Sequence, residues 1–241
     1  LYVHIPVLPP YLPVLRFLQA HAGLHGHESF IRALGREAES RAAALAANRG
    51  GETATLYFGG GTPSMLSDTH LGRLMETLDR LVPVDKLDEF SFEANPATFT
   101  EKKVRFWRSL GMTRVSLGVQ SLDSGILHLL GREHTPAQAL TPWNAENAGW
   151  TPYQLDLMFA IPGQTLSIWE ATLKEAVRAG TDHISAYNLT YEEDTEFFRS
   201  LLRGEKRQDP DEDAAFFELA EHMLEAAGLR HYETSNYARE G

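Results

Sequence analysis

The 241-residue chain contains no cysteine. A thiolate nucleophile, a disulfide, a Cys-ligated zinc and a Cys-held iron–sulphur cluster are therefore all excluded. Chemistry has to come from carboxylates, amides, guanidinium groups and exposed backbone, and these recur just after short apolar runs. Gly59-Gly60-Gly61-Thr62-Pro63 offers three glycines that let the backbone approach a ligand closely and present unshielded amides; the same run also serves a plain turn. Glu93 puts a carboxylate at the end of another run, where it must find a donor or be costly. Gln120 supplies an amide that both donates and accepts, Arg132 a guanidinium, Asp156 a second carboxylate inside an apolar stretch, and Ala186-Tyr187-Asn188 closes the last run. Each has a structural alternative: Asp156 as a helix cap, Glu93 as the partner of Arg132 and nothing else. Taken together, acid, amide, cation and glycine on one rim suit a zwitterionic small molecule with a hydroxylated ring.

The elements that would carry these residues alternate. Strand signals, β-branched or aromatic and regularly spaced, fall at Leu1–Ile5, Thr53–Phe58, Glu89–Glu93, Arg114–Val119, Gln154–Phe159 and His183–Leu189, with His231–Thr234 as one more. Helical patterns lie between them. Glu28–Asn48 is rich in Ala, Arg and Glu. A helix capped by Ser67 runs to about Leu81, one opened by Thr100 ends near Gly111, and others span Pro136–Ala148, Ser167–Ala179 and Asp211–Ala227. Arg203–Asp213 reads as a solvated charged connection. Strands alternating with helices imply an α/β fold with a parallel sheet, and such folds keep their sites at the C-terminal strand ends.

The composition is globular, with 43% hydrophobic and 23% charged residues, and the formal net charge is −11. Duplex nucleic acid is then not expected as a partner, because phosphate binding wants clustered Lys and Arg. No apolar run approaches the roughly 20 residues of a spanning helix, and no signal peptide is visible, so a cytoplasmic location is expected. The chain opens at Leu1 without a Met and ends at Gly241 after a regular-looking segment, so it reads as a portion of something longer.

The motifs occur in a familiar order. Tyr2-Val3-His4-Ile5-Pro6, Tyr57-Phe58-Gly59-Gly60-Gly61-Thr62-Pro63, Glu93-Ala94-Asn95-Pro96, Leu117-Gly118-Val119-Gln120-Ser121, Leu130-Gly131-Arg132-Glu133-His134, Asp156-Leu157-Met158, Ile161-Pro162-Gly163-Gln164-Thr165 and Ser185-Ala186-Tyr187 follow one another, and Tyr232–Ala238 closes the series. This pattern resembles the oxygen-independent coproporphyrinogen III oxidase and haem-chaperone group of radical S-adenosylmethionine proteins. The resemblance covers nearly the whole chain. It implies a partial (β/α)6 TIM-like barrel over residues 1–241 as a single domain, with the family's C-terminal domain absent. It further implies that Gly60, Gly61 and Thr62 contact the methionyl part of S-adenosylmethionine, that Glu93, Gln120, Arg132 and Asp156 contact its carboxylate and ribose, and that Tyr2 and Ala186 flank it.

One departure is as specific as the match. The family's CxxxCxxC loop, which holds a [4Fe–4S] cluster, falls on Leu8, Leu12 and Leu15, while Pro9, Pro13 and Phe17 still follow its pattern. Leucine cannot ligate iron. The resemblance thus implies a scaffold with the cofactor pocket, weak S-adenosylmethionine binding at best, and no redox activity. An alternative is a haem or porphyrin carrier that never needed the cluster, with His21, His25 and His27 as candidate axial ligands. A third reading, a barrel enzyme with Glu93 and Asp156 as acid and base, lacks a matching nucleophile or metal set.

Overall fold

The computed structural model describes residues 1–7, 24–47, 55–140, 153–191, 193, 195–204 and 209–240. By contacts the chain forms two compact units, the described residues of the first being 1–7, 24–47, 55–94 and 98–115, those of the second 95–97 and everything described from 116 on. The positions of Leu8, Leu12, Leu15 and His21 lie outside the described residues, as do 141–148 of the expected Pro136–Ala148 helix.

In the first unit, strands β1 (Tyr2–Ile5), β2 (Thr55–Gly60) and β3 (Glu89–Ala94) pair in parallel in that order. Helices α1 (Leu24–Ser40), α2 (Ala42–Ala47), α3 (Asp68–Asp79) and α4 (Glu101–Ser109) belong to it. Alternation along β2 explains the packing: Leu56 and Phe58 are fully buried, while Tyr57 between them faces the other way and is half-buried. Phe58 meets Phe90 and Phe92 with ring centroids 5.2 and 6.0 Å apart, and Phe92 meets Trp107 of α4 at 4.7 Å. These rings form the apolar centre of the unit. Ser67 caps α3 as expected, its hydroxyl accepting from the His70 amide at 3.2 Å. Thr100 precedes α4 but makes no side-chain cap bond.

The second unit contains β4 (Arg114–Gln120, whose first two residues group with the first unit), α5 (Ser124–Leu129), α6 (Pro136–Leu140), β5 (Tyr153–Phe159), α7 (Leu166–Arg178), β6 (His183–Asn188), α8 (Glu196–Leu202), α9 (Pro210–Ala226), β7 (Arg230–Glu233) and β8 (Asn236–Ala238). The strand order is β4-β5-β6-β8-β7. β5 and β6 are parallel, whereas β8 runs antiparallel to both β6 and β7, so a closing hairpin is added to the expected parallel set. Its two strands are three and four residues long and joined by a tight turn, which only an antiparallel pair permits. Trp169 of α7 packs on Phe159 at 5.7 Å and donates its indole N–H to the Phe216 carbonyl of α9 at 3.0 Å, pinning the two helices to the sheet. Two helix starts differ from expectation. α7 begins at Leu166 rather than Ser167, capped by Thr165, which accepts from the Ile168 amide at 3.3 Å, and Asp209 caps α9, so the charged connection ends four residues early.

Ala160, just past β5, has φ +57°, in the left-handed region that costs a side chain about 1–2 kcal/mol. Gln164 holds the turn there, accepting from the Ile161 amide and donating to the Met158 carbonyl, both at 3.3 Å. Ala160→Gly relieves that cost while giving back part of it as unfolded-chain entropy. The variant is expected to raise the unfolding free energy by about 0.5–1 kcal/mol in urea titration, and Ala160→Val to lower it. A Gly variant no more stable than the parent would show that the turn imposes no strain.

Candidate functional site

In the first unit the C-terminal end of β2 is crowded rather than open. A Cβ at Gly60 (φ +109°) would lie 2.4 Å from the His4 ring, and one at Gly61 would lie 2.5 Å from the Val7 carbonyl oxygen. These glycines are required by close approach of β1 and its extension. Gly61 N–H donates to the Ile5 carbonyl at 2.9 Å and Thr62 N–H to the Val7 carbonyl at 2.5 Å, so the glycine run is the seam that fastens β1's end to β2's. Glu93 at the end of β3 accepts from the Tyr57 hydroxyl at 2.7 Å and from the Gly60 amide at 3.0 Å, which meets the need for donors that its position creates. Tyr2 stacks on Tyr57 at 5.8 Å, and its hydroxyl lies 3.1 Å from Nδ1 of His4. Burial, and after it the charge of Glu93, raise the Tyr2 phenol above its ordinary value. Behind the glycine run, Lys103 of α4 donates to the Ser64 carbonyl, and burial lowers its ammonium below the usual range against the opposing pull of Asp68.

The second unit carries Gln120, Arg132 and Asp156, and Asp156 has partners that its motif did not announce. Asp156 caps none of the described helices. Its two oxygens accept from Ser116 at 2.6 Å and Gln154 at 2.7 Å; Gln154 also reaches Ser185 at 2.7 Å, and Ser185 donates to Asn236 at 2.8 Å. The result is a polar ladder across β4, β5, β6 and β8. Gln154 and Asp156 stand two apart on one strand and so share a face, a signal available in the sequence but not used. Gln120 ends β4 buried and at φ +68°, a conformation that a non-glycine residue holds only when its surroundings enforce it. Ala186 is buried and its amide donates to the Ser235 carbonyl at 2.8 Å.

Arg132 and His134 form the least satisfied part of this unit. Burial pushes the Arg132 guanidinium down to about 10, and among the described residues neither a carboxylate nor a hydrogen-bond acceptor meets it. Buried His134 donates Nε2–H to the Val119 carbonyl at 3.1 Å, and its Nδ1 has no partner among the described residues. Burial first, then the charge of Arg132, lower it to about 4 against the Val119 bond, so the ring is neutral at pH 7. Of the three histidines considered as axial ligands, the structure describes the side chain of His27 alone. It packs edge-on against His70 at 6.0 Å, and among the described residues no group of three or more His, Asp or Glu could hold a metal ion.

The profile of the radical SAM superfamily matches residues 32–176. The chain belongs to the radical SAM superfamily. Within it, the chain is 35% identical over 190 residues to the haem chaperone HemW of Bacillus subtilis, covering 78% of this chain and 50% of that protein. It is 38% identical over 210 residues to HemW of Synechocystis, covering 85% and 50%. The structure of coproporphyrinogen III oxidase (HemN) from Escherichia coli superposes with a TM-score of 0.83 at 24% identity, over 99% of this chain and 55% of that one. The fold is accordingly the α/β partial barrel of radical SAM proteins, in the HemW and HemN group. The chain spans about half the length of the curated relatives it matches. No helix of the described residues is long and apolar enough to cross a membrane.

His134 gives a pH test of this cluster. Its folded value, about 4, lies below the ordinary 6.5, so the unfolded chain takes up the proton first. Stability from its neutral state is full above pH 6.5 and is lost as pH falls toward 4. Between pH 7 and pH 5 that loss is about 2 kcal/mol. In urea titrations at the two pH values, His134→Gln, which keeps a donor for Val119, should lose about 2 kcal/mol less than the parent. Equal losses would mean that His134 is not held neutral by burial.

Proposed function

We propose that this chain is a HemW/HemN-type scaffold that keeps the polar groups for S-adenosylmethionine and has lost radical initiation. One observation carries the reading: the family's polar motif residues stand in order while Leu8, Leu12 and Leu15 occupy the positions of the cluster thiolates in a chain without cysteine. A [4Fe–4S] cluster does not fit this donor set, because its irons need thiolates and none exists. No reaction step is therefore derived through it.

S-adenosylmethionine fits better. Its carboxylate matches the unmet guanidinium of Arg132, and charge-assisted pairing of this kind is the strong sort. Asp156 and Gln120 supply an acceptor and an amide for the ribose. Gly60, Gly61 and Thr62 are assigned to the methionyl part and Glu93 to the carboxylate and ribose side, with Tyr2 and Ala186 flanking; at Glu93 the ligand has to compete with the bonds that the carboxylate already makes. Bound S-adenosylmethionine would supply a sulphonium, and this chain's residues would bind and orient it without cleaving it. The missing iron chelate leaves affinity on the order of mM to high µM.

A second reading is supported by the names of the relatives: proteins called haem chaperones are 35% and 38% identical to this chain, and a carrier of ferric haem needs no cluster.

Anaerobic reconstitution with iron and sulphide should leave no stoichiometric iron and no brown [4Fe–4S] absorbance after desalting; a stoichiometric cluster would overturn the first reading. Calorimetry should give weak S-adenosylmethionine binding that Asp156→Ala and Arg132→Met each weaken further. Nanomolar binding, or variants with unchanged affinity, would remove those residues from the site. Changing Leu8, Leu12 and Leu15 together to Cys should restore iron uptake and reductive cleavage to 5′-deoxyadenosine. A folded triple variant that takes up a cluster but makes no 5′-deoxyadenosine would show that the pocket no longer works.

A further inference from the structure

The Tyr232–Ala238 motif has no task in the pocket assigned above, yet side-chain hydrogen bonds join it to Asp156. The strand register explains how. Asp156 of β5, Ser185 of β6 and Asn236 of β8 stand opposite one another in a row across three strands. Residues in such a row point to the same face of the sheet. Gln154, two residues before Asp156 on the same strand, shares that face and bridges Asp156 to Ser185.

The chain of bonds has a sense, and the hairpin sets it. Glu233 accepts from the Ser235 amide at 3.1 Å and from Nδ2 of Asn236 at 2.6 Å. The Ser235 amide first, against slight desolvation, and then the Asn236 amide hold the Glu233 carboxyl below its ordinary range. At neutral pH it is therefore an acceptor alone. Asn236 has to turn its nitrogen to Glu233 and its carbonyl to Ser185. Ser185 has a single hydroxyl hydrogen, which goes to that carbonyl at 2.8 Å, so toward Gln154 it accepts. Gln154 is thereby made to present its NH2, which donates to Ser185 and to Oδ1 of Asp156, both at 2.7 Å. Reversing any link would turn the Gln154 carbonyl against the carboxylate. Oδ2 of Asp156 accepts from Ser116 of β4 at 2.6 Å. Gripped at both oxygens, the carboxylate cannot rotate without breaking a bond. It offers roughly four acceptor positions, more than these two bonds use.

We infer that Gln154 and Asn236 are positioning residues of the ligand site, acting through Asp156 to fix how its carboxylate faces the ribose hydroxyls of S-adenosylmethionine. The inference rests on the S-adenosylmethionine reading and brings the closing hairpin into it. Neither residue has to touch the ligand. Two adjacent hydroxyls can donate to one carboxylate when its plane is held toward them, and a plane held in advance spares the complex the cost of ordering it. Gln154 holds the plane directly. Asn236, itself directed by Glu233, decides which end of the Gln154 amide meets Asp156.

The test is titration of S-adenosylmethionine into the 241-residue chain, followed by amide chemical-shift changes. The variants are Gln154→Met, Asn236→Ala, Asp156→Ala, and each of the first two combined with the third. Gln154→Met keeps the length of the side chain and removes the donor, and Gln154 and Asn236 are only half-buried, so the fold should tolerate both changes. Each of the two single variants should weaken binding about fivefold. In the Asp156→Ala background neither should weaken it further, because the carboxylate through which they act is gone. A purely structural role would weaken binding with or without Asp156, so losses in the double variants equal to those in the singles would reject the inference. Parent-like binding in Gln154→Met and Asn236→Ala, with Asp156→Ala weakened, would also reject it while keeping the S-adenosylmethionine reading. A parent chain that does not bind, or an Asp156→Ala variant that binds as the parent does, would overturn the place of Asp156 in that reading and this inference with it.

Discussion

The first unit depends on the carboxylate of Glu93. At the end of β3 it is partly removed from water, and an ionised group there has to be met by donors. Tyr57 provides one from its hydroxyl and Gly60 the other from its amide. Both lie on β2, so the carboxylate of one strand locks the end of the next. The Gly60 backbone can turn its amide toward Glu93 only at φ +109°, and the His4 ring occupies the space where any Cβ at that position would go. Tyr57 in turn supports Tyr2, and Tyr2 holds His4. A single partly buried carboxylate thus ties the glycine run to β3 and, through Tyr57, supports the side-chain order on β1.

The sequence made the strands legible because their burial is one-sided and their period is two. Leu56 and Phe58 inward with Tyr57 opposite is the pattern of a half-buried strand, and five of the six expected parallel strands coincide with observed ones to within one residue at each end. The exception is β2, which runs on through Gly59 and Gly60, because backbone pairing with β1 continues where the side chains stop. Helix starts were less legible. Thr165 and Ser167 are both competent caps two residues apart, and composition alone does not choose between them; the bond to the Ile168 amide does. The closing hairpin was half seen, since three- and four-residue strands carry too few alternations to announce a second partner.

Site residues divide in the same way. Glu93, Gln120, Arg132 and Asp156 were legible as residue types, but the cross-strand partners of Glu93 and Asp156 were not, because those hydrogen bonds join residues 33 to 40 positions apart. Ser116, Ser185 and Asn236 look like ordinary polar strand residues until the ladder to Asp156 joins them. His134 stood inside a motif without being singled out. Its depressed basicity is a product of burial and of the Arg132 charge, neither of which a linear spacing can express.

The scaffold and the chemistry of this fold have separable physical origins. Two aromatic centres, Phe58–Phe92–Trp107 and Phe159–Trp169–Phe216, carry the packing, and no member of either lies among the positions that the family gives to its cluster. Replacing thiolates by leucines therefore removes a metal centre without removing anything from those cores. Three partly buried charged groups, Glu93, Asp156 and Lys103, likewise have partners within the chain. Arg132 is different. A guanidinium moved part-way out of water with no anion among the described residues, beside a histidine that it helps to keep neutral, costs stability and contributes nothing to packing that an apolar residue of similar size could not. An anionic group placed there would offset the desolvation of Arg132 and ease protonation of His134 at the same time. Among the described residues Arg132 thus carries an unmet charge in the second unit, of the sign that a carboxylate-bearing ligand would satisfy.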